Sequence, residues 1–85
     1  MYYVYIVECA DGTFYTGITT DVERRLLEHN YSFKSAKYKR SRRPVALVYS
    51  RLVGTRSEAS KEEYRIKKLS RSEKQKIISI QATDR

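Results

Sequence analysis

The sequence lacks the disulfide pairs, long apolar runs and signal-peptide pattern that are typical of secreted or membrane-bound proteins. Its 85 residues include a single cysteine, Cys9, so no internal disulfide can form and a reducing compartment is favoured. No apolar run approaches the length of a membrane-spanning helix, and the apolar start lacks a signal-peptide pattern. We therefore expect a cytoplasmic protein that does not associate with a membrane.

Proline, glycine and tryptophan are also scarce. The sequence has one proline, three glycines and no tryptophan, but it has eight tyrosines. A hydrophobic fraction of 40% is enough for a globular fold and too high for a disordered chain. We expect one domain, over residues 1–80, followed by a frayed tail at residues 81–85. A monomer is the simplest assembly.

Acidic residues are few and unevenly placed. Ten Asp and Glu oppose 18 Lys and Arg, which gives a formal charge of +8. None of the acidic residues falls between Tyr31 and Arg56. An excess of this kind favours an anionic partner, most simply nucleic acid. A soluble basic protein without such a partner is the alternative.

A segment before Pro44 concentrates the positive charge. Its cations are Lys34, Lys37, Lys39, Arg40, Arg42 and Arg43, and aromatic residues are interleaved with them. Cations neutralise phosphates and rings stack on bases, so this basic loop is predicted to bind nucleic acid. A solvated loop with incidental rings is the alternative.

Hydrophobic periodicity and turn signals predict the order ββα, loop, βαα. The predicted strands are Tyr2 to Cys9, Thr13 to Thr19 and Val45 to Leu52; capping boxes at Thr20–Glu23 and Thr55–Glu58 open helices to about Asn30 and Leu69, and a short helix covers Ser72 to Ile80. This order predicts an α+β fold with a small three-stranded antiparallel sheet flanked by two to three helices.

The turn between the first two strands decides which tyrosines share a face. A three-residue turn ending at Gly12, with a G1 bulge, places Tyr5 opposite Gly17 and Val7 opposite Tyr15. Tyr5 and Tyr15 then lie on one face of the sheet, and we expect Gly17 to leave an open floor there. Tyrosines at the rim of an ordinary half-buried sheet are the alternative.

The first helix carries polar residues on its inward face. With 3.6 residues per turn, Arg25 and His29 fall on the stripe of Val22 and Leu26, whereas Arg24 points almost the opposite way. An inward charge costs free energy unless it has a partner, which the tyrosine face or a phosphate could supply. A structural Arg that reaches a tyrosine hydroxyl is the alternative.

Two glutamates flank the apolar side of the second helix. A carboxylate beside this stripe needs a cation or a metal ion. Helical geometry does not choose between Glu62 and Glu63, and it puts Glu62 slightly closer to the centre.

These residues together resemble the GIY-YIG nuclease superfamily. The likeness rests on Tyr3-Val4-Tyr5, on Tyr15-Thr16-Gly17 with Arg25 after them, and on a late helical Glu followed by Ile-Lys. It extends from Tyr2 to about Ile78, and the stretch FYTGITTDVERRLLEH is typical of small stand-alone bacterial members. Tyr3 stands where the motif's name has Gly, and Ile18 stands where the repair branch has Lys.

The resemblance implies a GIY-YIG fold and a nuclease that uses one divalent ion, Mg²⁺ or Mn²⁺. Tyr5 and Tyr15 would be the motif tyrosines, Arg25 the catalytic arginine, and His29 the counterpart of a second Tyr or His. Glu63 would be the metal ligand, because Glu-x-x-Ile-Lys fits Glu63, Ile66 and Lys67, and Lys67 would contact nucleic acid.

Two hypotheses follow for function. The first is a metal-dependent endonuclease that hydrolyses phosphodiester bonds in branched, nicked or single-stranded DNA. Arg25 would neutralise the phosphate, and either Tyr15 or His29 would be the general base. The second is a non-catalytic module that binds nucleic acid and keeps the nuclease fold.

Overall fold

The computed structural model describes residues 1–31 and 44–83, and the predicted basic loop lies outside them. The elements are β1 (Tyr2–Glu8), β2 (Phe14–Thr19), α1 (Val22–Tyr31), β3 (Ala46–Gly54), α2 (Arg56–Lys67) and α3 (Arg71–Thr83). The predicted α+β fold, with one three-stranded antiparallel sheet and helices around it, is confirmed.

The β1–β2 turn has the predicted geometry. Gly12 has φ +86°, its N–H donates to the Cys9 carbonyl at 2.9 Å, and the Cys9 N–H donates to the Thr13 carbonyl at 2.8 Å. A positive φ is readily adopted only by glycine, which explains the residue at this position. The resulting register pairs Tyr5 with Gly17 and Val7 with Tyr15, as predicted.

Strand β1 is central, in the order β2-β1-β3, and both faces of the sheet are covered. Because side chains alternate along a strand, Val4 and Ile6 face one side, where they pack with Ile66 of α2. Tyr5 and Val7 face the other side. Leu26 of α1 packs against this second face, so α1 covers the tyrosine side of the sheet.

Helix α1 begins one residue later than its predicted capping box. Asp21, and not Thr20, is the N-cap: its carboxylate accepts the N–H of Arg24 at 3.1 Å, and its carbonyl accepts the N–H of Arg25. The hydroxyl of Thr19 accepts the N–H of Asp21 at 3.2 Å, which turns the chain into the helix. The second capping box, at Thr55 and Glu58, is confirmed.

The C-terminal helix continues further than predicted. Helix α3 extends to Thr83, so the expected frayed tail from Gln81 is wrong for the three residues up to Thr83. The Gln81 side-chain amide donates to the Ser50 carbonyl at 2.6 Å and accepts the Ser50 N–H at 3.2 Å. The Gln81 amide thus satisfies both backbone groups of Ser50 at the outer edge of β3, as a neighbouring strand would. The two bonds hold the last turn of α3 against the sheet.

Across residues 1–31 and 44–83, no helix is both long and apolar enough to cross a membrane.

Candidate active site

The Tyr5 hydroxyl is the centre of a polar cluster between β1 and α1. It lies 2.9 Å from Nε2 of His29, and it accepts the Nε–H of Arg25 at 3.3 Å. Tyr5 and His29 are only 2% and 4% exposed. One phenol therefore links the two polar residues that the first helix directs inward.

Gly17 determines where the Tyr5 ring can lie. A Cβ built on Gly17 would be 2.6 Å from the Tyr5 hydroxyl oxygen and 2.8 Å from the carbon that bears it. The ring thus lies across Gly17, and the open floor expected at this position is wrong because Tyr5 fills it. Glycine is needed here for close approach and not for backbone conformation.

Tyr15 completes a group of three rings on this face. Its ring centroid lies 5.2 Å from that of His29, at an interplanar angle of 67°, and 6.3 Å from that of Tyr5. The imidazole therefore lies edge-on to Tyr15, an arrangement that favours a well-defined ring orientation. The structure brings Tyr5, Tyr15 and His29 together as the sequence predicted.

Helix α1 presents its residues as its periodicity predicted. Arg25 and His29 face the sheet, one turn apart, whereas Arg24 lies on the solvent side with its Nε 3.9 Å from the Glu28 carboxylate. The Arg24 side chain is 67% exposed, so this ion pair contributes little.

Asn30 has a positioning role that the sequence reasoning missed. Its side-chain amide donates to the Val45 carbonyl at 3.2 Å and accepts the Val45 N–H at 2.8 Å. These bonds tie the end of α1 to the start of β3, next to His29. An amide near a helix end was the only signal in the sequence, and it does not specify a partner 15 residues away.

The surroundings shift the pKa values of the cluster. Burial raises the pKa of Tyr5, although the hydrogen bond from Arg25 opposes this effect. Burial, and after it the charge of Arg25, lowers the pKa of His29. At neutral pH the cluster thus holds a protonated phenol and a neutral imidazole. A neutral imidazole can accept a proton at Nε2, the atom nearest the Tyr5 hydroxyl.

The two glutamates of α2 face different surroundings. Glu62 pairs with Arg65, and their hydrogen bond is the main cause that raises the pKa of Arg65; Tyr49, on the face of the sheet opposite Tyr5, adds a small effect. Glu63 lies 3.7 Å from Nζ of Lys67, and its charge raises the pKa of Tyr5. Of these two glutamates, Glu63 is therefore the one whose charge acts on Tyr5.

The carboxylate that would hold a divalent ion is Glu63. Among the residues that the structure describes, no three His, Cys, Asp or Glu side chains form a metal cage. Mg²⁺ keeps most of its waters and is commonly held by one or two carboxylates, whereas structural zinc needs four protein ligands. A single carboxylate such as Glu63, whose side chain is 24% exposed, fits a hydrated Mg²⁺ or Mn²⁺.

The other predicted nucleic-acid contacts divide into two groups. Lys67 is exposed on α2 beside Glu63. The basic loop cations, Lys34 to Arg43, lie outside the described residues, so their role stays a prediction.

Comparison with known families agrees with this architecture. The family described as the GIY-YIG catalytic domain matches residues 1–77. That match covers both motif tyrosines, Arg25, His29 and Glu63, and it places the protein in a nuclease superfamily.

Individual relatives define the group more closely. A UPF0213 protein from Desulfotalea psychrophila is 60% identical over 91% of this chain and 70% of its own length. One from Halobacterium salinarum is 52% identical over 92% of this chain and all of its own length. The solution NMR structure of a UPF0213 protein from Bacillus halodurans superposes with a TM-score of 0.59, at 48% identity, over 94% of this chain and 85% of that one.

The solution NMR structure of a protein from E. faecalis gives a TM-score of 0.65 at 44% identity, over 96% of this chain and 86% of that one. The chain therefore belongs to the GIY-YIG superfamily, within the group of small UPF0213 proteins of bacteria and archaea.

Proposed function

We propose that this protein is a divalent-metal-dependent endonuclease that hydrolyses phosphodiester bonds in DNA, with branched, nicked or single-stranded DNA as the expected substrates. The observation that carries the proposal is the Tyr5 hydroxyl, which is held between Arg25 and the neutral imidazole of His29. A buried group with a shifted pKa and a specific charged partner is typical of catalytic sites.

Arg25 is suited to neutralise the phosphate. Its Nε–H is used by Tyr5, so the terminal NH₂ groups are left for a non-bridging oxygen. This contact would strengthen as negative charge builds up on the phosphate oxygens in the transition state, which is the condition for lowering the barrier.

The Tyr5–His29 pair supports a route for the proton of the attacking water. Tyr5 keeps its own proton at neutral pH, so it can accept one only by passing its own to Nε2 of His29. In this scheme water gives a proton to the Tyr5 oxygen while His29 becomes the imidazolium. Tyr15, beside the imidazole, would orient the water or act as the base itself.

Glu63 would hold the divalent ion, Mg²⁺ or Mn²⁺. When bound, that ion would stabilise negative charge on the phosphate and the leaving oxygen. Lys67 would move from Glu63 to a phosphate, because its ion pair at 3.7 Å is half-exposed and weak. A reducing cytoplasm is the expected compartment, consistent with the free thiol of buried Cys9.

A non-catalytic nucleic-acid-binding module is the second candidate. Two observations favour it: Tyr5 is only 2% exposed, and Glu63 already has a cationic partner. In such a module Arg25 and His29 would satisfy the Tyr5 hydroxyl for stability alone.

Incubation of the pure protein with labelled DNA and RNA of several structures separates the two candidates. The panel would include single strands, duplexes, nicked duplexes and branched junctions, each with Mg²⁺, with Mn²⁺ and with EDTA. Cleavage that needs the metal supports the nuclease. Binding without cleavage on every substrate would support the module.

A further inference from the structure

The solvent side of α2 has no use in the proposed chemistry, yet it has an unusual composition. Five of its exposed residues, together with the C-cap residue, form what we call the α2 surface: Arg56, Ser57, Ser60, Lys61, Tyr64 and Lys68. The three glutamates of the helix lie on the side of buried Ala59 and Ile66 or at its border. The α2 surface therefore contains cations and hydroxyls, and the exposed carboxylate of Glu58 lies at its border, within electrostatic range of Lys61.

Tyr64 lies in the middle of this surface, where it cannot serve the core. Its side chain is 63% exposed, and Nζ of Lys68 is 4.3 Å from the centre of its ring. This cation–π contact covers one face of the ring and restrains it. The other face remains available to a stacking partner.

The cations of the α2 surface differ from the other cations of α2 in their partners. Within residues 44–83, Arg65 and Lys67 form salt bridges to Glu62 and Glu63, whereas Arg56, Lys61 and Lys68 form none. The remaining carboxylate of the helix, Glu58, is engaged in the capping box with Thr55. Within residues 44–83 these three cations thus form no salt bridge, although Lys61 lies within electrostatic range of Glu58.

We propose that the α2 surface binds a single-stranded nucleic-acid segment, with the cations on successive phosphates and one base stacked on Tyr64. Cations that follow the backbone, together with an exposed ring, are what a single strand requires. The serine hydroxyls would add hydrogen bonds to phosphate oxygens. Round the helix, Ser60 and Lys67 lie next to Glu63, so the surface adjoins the candidate active site.

The inference relies on the proposed function for its class of ligand, but it has its own test. Binding of a labelled single-stranded oligonucleotide and of its duplex would be measured in EDTA, which prevents cleavage, over a range of salt concentrations. The test variant is Arg56→Gln/Lys61→Gln/Lys68→Gln. The charge-matched control is Arg24→Gln/Arg51→Gln/Lys76→Gln, which removes three exposed cations from other elements.

For the single strand, the test variant is expected to lower the slope of log affinity against log salt by about 2, because each phosphate contact contributes about 0.7. The control should change the slope by much less. Tyr64→Leu should weaken single-strand binding about fivefold to a hundredfold and leave duplex binding nearly unchanged, and Tyr64→Phe should restore it.

Three results would overturn the inference: equal slopes for the test and control variants, equal affinities for Tyr64→Leu and Tyr64→Phe, or tighter binding to phosphatidylserine vesicles than to the oligonucleotide. The nuclease proposal fails separately. If wild-type protein cuts nothing but the α2 variants lose binding, the inference survives. If it cuts and those variants bind like the control, only the inference fails.

Discussion

The hydroxyl of Tyr5 and Nε2 of His29 lie 2.9 Å apart, although 24 residues separate them in the chain. The bond joins the central strand to helix α1 and is buried on both sides. If the phenol donates the hydrogen bond, Nε2 of His29 must be unprotonated. This requirement agrees with the pKa of His29, which burial lowers. Stability and proposed chemistry thus depend on the same protonation state.

A pH dependence of stability follows from the burial of His29. Since the folded pKa of His29 lies below its ordinary value of 6.5, the unfolded chain binds the proton more readily. The stability contributed by His29 is present above that value and is lost as pH falls below it. In thermal melts, the Tm should fall as the pH is lowered from about 7.5 to about 5.5. Most carboxylates do not titrate in this pH range, so they contribute little to the change. His29→Gln should remove most of this fall; an equal fall in the variant would contradict the account.

Gly17→Ala tests the packing of Tyr5 against the glycine. The new methyl group would overlap the Tyr5 hydroxyl, so the ring must move away from His29. We expect a loss of about 1–3 kcal/mol in stability and a changed NMR titration of His29. Gly12→Ala is the control: it meets no atom within 4 Å and costs only backbone strain, about 1 kcal/mol. An unchanged His29 titration in Gly17→Ala would show that Tyr5 tolerates the methyl group in place.

Arg25→Ala should separate catalysis from folding. If Arg25 serves the transition state, cleavage should slow by about 10²- to 10³-fold with a much smaller loss of DNA affinity. The pKa of His29 should rise, because the charge of Arg25 lowers it. Arg24→Ala, on the solvent side, should leave both nearly unchanged. A lower Tm for Arg25→Ala with an unaffected cleavage rate would assign Arg25 a structural role.

The fold was predictable where local chemistry determines geometry. Gly12 set the hairpin register, and the spacing of Arg25 and His29 set the inward face of α1. The N-cap was misplaced by one residue because Thr19, outside the capping motif, shapes the turn before Asp21. Sequence periodicity could not show that Gly17 is covered by Tyr5, nor that Gln81 pairs with Ser50. Both contacts depend on the arrangement of complete elements.

Helical geometry alone could not decide between the two glutamates, because that choice also depends on the arrangement of complete elements. Glu62 and Glu63 flank the buried stripe almost symmetrically, so the sequence favoured Glu63 only through the family resemblance. The distinction comes from the partners of each carboxylate: Glu62 is paired with Arg65 on the same helix, whereas the charge of Glu63 acts on Tyr5.

The basic loop offers a prediction about affinity. Replacing Lys37, Lys39, Arg40, Arg42 and Arg43 with Ser should flatten the dependence of log affinity on log salt, because fewer counterions are released on binding. Titrations at several salt concentrations in EDTA measure this slope. If it is unchanged, the loop does not contact nucleic acid and the affinity must come from elsewhere, including the α2 surface.

The cleavage rate of Glu63→Gln, beside that of Glu62→Gln, tests the central claim most directly. Both changes remove one charge and break one partly exposed ion pair, so they should differ little in stability. Single-turnover cleavage of labelled DNA would be measured with Mg²⁺ and with EDTA. We expect wild-type protein and Glu62→Gln to cut at similar rates with Mg²⁺, and Glu63→Gln to bind DNA without cutting it. Cleavage by Glu63→Gln at the wild-type rate would contradict the account.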